Sequence, residues 1–98
     1  MTMLLDAATA TTTGSAVRPT NVNRTFHATV TGTGAVTATV IIEASNNTRD
    51  FLTLGTITLS GTTSAADGFV SVAAWKCVRA RLTAISGTDA AVSVQMGA

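Results

Sequence analysis

The densest set of side chains capable of chemistry is Trp75-Lys76-Cys77-Val78-Arg79-Ala80-Arg81. Positions 75, 77, 79 and 81 share one face of an extended strand. An indole beside two guanidiniums there suits the stacking and clamping of single-stranded nucleic acid. The rest of the chain argues against that use. Six Lys and Arg against five Asp and Glu give a net charge of +1, whereas nucleic-acid binders carry a large basic excess. A strand pair with Glu43 or Asp50 opposite the arginines is the simpler use of these charges. Arg and Trp are also enriched where subunits meet, which makes Trp75, Arg79 and Arg81 candidate interface residues.

Other chemistry finds less support. One histidine, His27, and one cysteine, Cys77, fall on different expected strands, and a Cys–His dyad needs both in one cleft with a third group to orient them. No Gly-x-Ser-x-Gly elbow is present, and Gly32-Thr33-Gly34 lacks the third glycine of a nucleotide loop. Asp6, Glu43, Asp50, Asp67 and Asp89 are too dispersed to form a ligand set. Asp67 with loop carbonyls comes nearest to a calcium site, without the several carboxylates such loops carry. The chain is read as non-enzymatic and free of cofactors. The Thr-x-Thr pairs at 29/31, 37/39 and 56/58 resemble ice-binding ladders only superficially, because no fixed repeat period accompanies them.

The elements that position these residues follow from composition. Ninety-eight residues make one domain, spanning 1–98, with 1–23 as an N-terminal arm or a first strand plus connection. Hydrophobic residues are 46% of the chain and charged ones 11%, less than half the usual ~25%. Polarity is carried instead by 20 Thr and 7 Ser. A weakly charged surface does little to keep copies apart, so a homo-oligomer is expected. Val40-Ile41-Ile42 is the longest apolar run without alanine, far short of the ~20 residues of a membrane span. The first fourteen residues hold no Lys or Arg, which predicts a chain made in a cytoplasm without a signal peptide.

Period-two alternation dominates. Phe26/Ala28/Val30, Val36/Ala38/Val40/Ile42, Val78/Ala80/Leu82 and Ala90/Val92/Val94/Met96 each define one apolar face, the pattern of antiparallel sheet. Turn signals separate the runs: Thr31-Gly32-Thr33, Ser60-Gly61-Thr62, Ser86-Gly87-Thr88, Asn46-Asn47-Thr48 and Ala66-Asp67-Gly68. Seven strands are predicted, over 3–12, 25–31, 36–44, 51–59, 69–73, 75–84 and 90–96. The fold class is therefore all-β, an antiparallel β-sandwich of jelly-roll or immunoglobulin-like type. Leu52 and Leu54 differ in parity from Ile57 and Leu59, which predicts a bulge or bend at Leu54–Gly55.

Several segments resemble short structural proteins of tailed-bacteriophage virions. They are Ile42-Glu43-Ala44-Ser45-Asn46, Leu54-Gly55-Thr56-Ile57-Thr58-Leu59-Ser60-Gly61-Thr62-Thr63, Asp67-Gly68-Phe69, Trp75-Lys76-Cys77-Val78-Arg79-Ala80 and Thr83-Ala84-Ile85-Ser86-Gly87-Thr88, with Arg24-Thr25-Phe26 upstream. Where that family tends to have Asn-Asp-Gly before Trp, this chain has Asn46-Asn47-Thr48-Arg49-Asp50-Phe51. The resemblance implies a virion component without fixing its station in the particle. Taken with the weakly charged β-rich composition, the leading reading is a decoration (cement) protein on the capsid surface. Its partners are itself and the major capsid protein or other virion proteins, with no nucleic acid and no membrane. A glycan-binding jelly-roll module using Trp75, and a head–tail or tail accessory protein, are the alternatives. In this reading Met3, Leu4 and Leu5 of the arm lie on a neighbouring subunit, because so small a domain offers them little to pack on.

Overall fold

The computed structural model describes residues 2–14, 16–17, 24–47, 49–71 and 75–97. They form one five-stranded antiparallel sheet: β1 (Thr2–Ala8), β2 (Thr12–Thr13), β3 (Arg24–Ser45), β4 (Leu52–Ser71) and β5 (Cys77–Gly97). The order is β1-β5-β3-β4, with β2 also paired to β5. Five strands stand where seven were expected. The predicted runs 25–31 and 36–44 are one strand, β3. Runs 51–59 and 69–73 fall in β4 from Leu52 to Ser71, with Val72 and Ala73 outside the described residues, and 75–84 and 90–96 fall in β5 from Cys77 onward; Phe51, Trp75 and Lys76 precede their strands. The predicted first strand, 3–12, divides into β1 and β2.

The reason lies in the glycine-centred tripeptides. Thr31-Gly32-Thr33, Ser60-Gly61-Thr62 and Ser86-Gly87-Thr88 do not reverse the chain; they lie within β3, β4 and β5 around one line, with Thr33 opposite Thr88 and Thr37 between Ser60 and Ser86. Four residues near this line have positive φ: Gly34 (91°), Thr63 (64°), Gly87 (126°) and Asp89 (57°). The register slips beside it, between Thr31 and Ala35 against β4 and between Thr31 and Thr37 against β5. An inserted residue with left-handed backbone bends a strand without ending it. Ala66-Asp67-Gly68 is likewise no turn; it pairs within β4 opposite His27, Ala28 and Thr29. Only the Asn46-Asn47 signal joins two strands, β3 to β4.

The bend folds the sheet onto itself. A straight 22-residue strand would span roughly 70 Å, yet the molecule's longest extent is 39 Å. Gly55 and Phe69 lie on the same strand, and a Cβ on Gly55 would sit 2.6 Å from Phe69 Cζ. The two arms of β4 therefore approach each other around that ring, which also meets Phe26 at 5.1 Å between centroids.

Every run of the sequence alternation enters the core that this folding encloses. Phe26, Ala28, Val30, Val36, Ala38, Val40, Ile42, Val78, Ala80, Leu82, Ala90, Val92, Val94 and Met96 are all buried. The predicted irregularity at Leu54–Gly55 is present: Ile42 faces Gly55 while Glu43 faces Thr53, leaving Leu54 as the extra residue. The bulge brings Leu52 onto the same row as Ile57 and Leu59, opposite buried Ala44, Val40 and Ala38 of β3; Ile57 and Leu59 are covered there, while Leu52, at the start of β4, stays 45% exposed.

Gly55→Ala is expected to displace the Phe69 ring and lower unfolding stability by about 1–3 kcal/mol, the usual cost of overpacking. The double variant Gly55→Ala/Phe69→Leu should recover part of it. Urea unfolding of the four proteins of this cycle measures the coupling.

Candidate functional site

The charged cluster of the sequence gathers at the hairpin end of β3 and β5. Register places Glu43 opposite Arg79 and Ile41 opposite Arg81. Arg79 Nε donates to Glu43 Oε1 at 2.7 Å, and Arg81 Nη1 lies 3.7 Å from Oε2. The Glu43 side chain is 10% exposed, and a carboxylate so covered needs cationic donors to stay charged without a large desolvation cost. On its other side the Arg79 guanidinium rests 3.8 Å from the Phe51 ring centroid, a cation–π contact. Asp50, the other expected partner, instead accepts from Asn47 Nδ2 at 3.0 Å.

Asn47 organises this end. Its Oδ1 accepts from the backbone N–H of Arg49 and Asp50 and from the Ser45 hydroxyl, at 2.8–3.0 Å. These bonds shape the connection that delivers Phe51 under Arg79. The Phe51 contact has no signal in the sequence, because no spacing rule links a residue just past a turn to one 28 positions later.

Trp75 does not share the arginine face. It is partly buried against the core, and its Nε1 is buried without a hydrogen-bond partner among the described residues. Cys77 is buried, its Sγ 3.5 Å from the Ser45 carbonyl oxygen, whereas His27 is exposed. Cys77 keeps its place in the row of Arg79 and Arg81, opposite Ser45, but is covered there, and Trp75 lies half-buried before β5 begins.

The arm also departs from expectation. β1 pairs with β5 from Thr2↔Met96 to Ala8↔Val92. Beyond it, Gly14 and Val17 hydrogen-bond Ala80 and Val78. Leu4 and Leu5 are 5% and 7% exposed and belong to the core, so neither is available to a neighbour. The folded sheet supplies the packing surface for these leucines within the chain. Met3 remains 41% exposed.

What the chain presents outward is a hydroxyl-rich face over the second arm of the sheet. Thr37 lies between Ser60 and Ser86, Thr39 between Thr58 and Ala84, and Ile41 between Thr56 and Arg81. Arg81, its side chain 45% exposed, borders this face. Among the described residues no three His, Cys, Asp or Glu side chains converge as a metal site would require. Comparison with protein-family models, curated proteins and solved structures found no match.

Three outcomes follow. Glu43→Ala and Arg79→Ala should each cost about 1–3 kcal/mol, as expected for a hydrogen bond to a charged group in a half-covered site. Arg81→Ala should change stability by no more than about 0.5 kcal/mol, in keeping with its exposure. Deleting Met1–Thr13 should destabilise the fold itself by several kcal/mol, since burying each leucine contributes about 1.5–3 kcal/mol. Chemical denaturation of each variant checks all three.

Proposed function

We propose that this chain is a non-enzymatic structural component of a tailed-phage virion, a decoration protein that sits on the capsid and bridges neighbouring subunits. In this reading the folded sheet is a small β-sandwich, and its hydroxyl-rich face, bordered by Arg81, meets the shell. The virion assignment draws on the resemblance of the segments from Ile42 to Thr88. Multivalent contact on a symmetric lattice then allows each individual contact to be weak.

The observation that favours this over glycan recognition is the state of the aromatics. A sugar-binding platform needs an aromatic face open to solvent. Phe26 is buried; Phe51 lies against Arg79, Phe69 against Phe26 and Gly55, and Trp75 against the core. Phe51, Phe69 and Trp75 are half-buried, so none of the four stands fully open to solvent. The low charge adds to the case, since desolvating Thr and Ser at an interface costs less than desolvating ions.

Quantitative mass spectrometry of purified virions tests the reading. A decoration protein is expected at on the order of hundreds of copies per particle, and a tail-ring component at about a dozen, as their symmetries dictate. A copy number near a dozen favours the accessory alternative, and specific retention on a glycan array favours the sugar-binding one.

A further inference from the structure

The two edges of the sheet are treated differently. On one side, β1, β2 and Val17 run along β5 and take up its outer hydrogen-bonding groups. The edge that β1 then presents is irregular: its register shifts twice, Ala7 has φ 49°, and the Ala7 N–H is capped by Ser93 Oγ at 3.0 Å. Bulges of this kind blunt an edge against pairing. On the other side, β4 pairs with β3 alone among the described residues. Alternate residues of β4 therefore point their N–H and C=O groups away from any strand.

The two arms of β4 are not equally open. In the second, Asp67 stands opposite core residue Ala28 and is exposed. An inward-pointing charge on an edge strand opposes further pairing. In the first arm there is no such guard, and no charged residue or proline occurs from Phe51 to Ala66.

The sequence of that arm says what fits it. Gly55-Thr56-Ile57-Thr58-Leu59-Ser60-Gly61 reads the same in both directions by residue class. Laid antiparallel against its own copy about Thr58, it sets Ile57 opposite Leu59, Thr56 opposite Ser60 and Gly55 opposite Gly61. Core-facing residues continue the core-facing row and hydroxyls continue the outer row. An isologous two-fold contact requires this self-complementarity of a single patch.

We infer that the first arm of β4 is a homodimer interface in which two copies join edge to edge through residues 55–61, centred on Thr58. Main-chain hydrogen bonds supply the attraction, because Ile57 and Leu59 are already 2% and 1% exposed in one chain. The blunted β1 edge stops growth at two copies. This inference is independent of the virion reading and can be tested without particles.

Purified full-length protein is examined by sedimentation equilibrium up to roughly 100 μM, where a dimer of micromolar dissociation constant is filled. A dimer is expected. Thr58→Lys, which sets like charges directly opposite each other, should raise the dissociation constant at least ~10-fold. His27→Lys, exposed on central strand β3, should leave it unchanged, with circular dichroism confirming that both variants fold. Thr58→Cys should cross-link under mild oxidation, since directly opposed Cα atoms at ~4.5–5.5 Å suit a disulfide. Ser60→Cys, which faces position 56 of the partner, should not. Wild type, with Cys77 buried, is the control. A monomeric wild type overturns the proposal, as does a dimer indifferent to Thr58→Lys, or cross-linking at Ser60 without cross-linking at Thr58.

Discussion

Everything in this molecule hangs on the backbone ladder of β3. That strand is paired on both sides along nearly its whole length, with β4 from Arg24 to Ala44 and with β5 from Thr25 to Ser45. Its even-numbered residues from Phe26 to Ala44, the glycines at the bend apart, are the spine of the core. A strand this long cannot remain straight and bury one face against anything in a 98-residue chain. It bends, its two neighbours must bend at the same line, and the sheet becomes its own packing partner. The positive-φ positions lie on all three strands near that line for this reason.

The alternation was legible because it is local: two-residue periodicity reports which face is apolar regardless of what covers it. The irregularity at Leu54–Gly55 was legible for the same reason, as a change of parity inside one run. The tripeptides at 31–33, 60–62 and 86–88 misled because a glycine with positive φ serves a hairpin and a strand bend equally well. What separates the two outcomes is the alignment of three such sites on adjacent strands, a property of register that no single segment carries. The arm misled similarly, since the surface that receives Leu4 and Leu5 is assembled from β5, some eighty to ninety residues away. In the charged cluster, Glu43 as a cross-strand partner could be read from strand pairing. The Phe51 contact and the inward turn of Trp75 could not, because both depend on the path of the β3–β4 connection.

Charge in this protein serves shape. Glu43 holds two arginines, Asp50 ties the Asn47 connection, Asp67 accepts from the Gly68 N–H, and Asp89 accepts from Thr33 at the bend. Most of the acidic groups are thus engaged within the chain, and the surface is left to Thr and Ser. Such a surface has weak long-range selectivity, so whatever it meets is recognised by fit and main-chain geometry.

The pairing of β1 with β5 also governs the order in which the chain reaches its native state. Thr2 meets Met96, so the N-terminal strand has no template until β5 has been synthesised. The β3–β4 hairpin, closed through the Asn47 connection, is complete much earlier, and its central strand lacks a second neighbour until β5 arrives. Closing so many sequence-distant contacts requires a large loss of chain entropy before they stabilise anything. Refolding should therefore be slow for a domain this small, with docking of β1 among the late events. During that interval Leu4 and Leu5 are exposed, and the half-formed sheet is at its most vulnerable to capture by other chains.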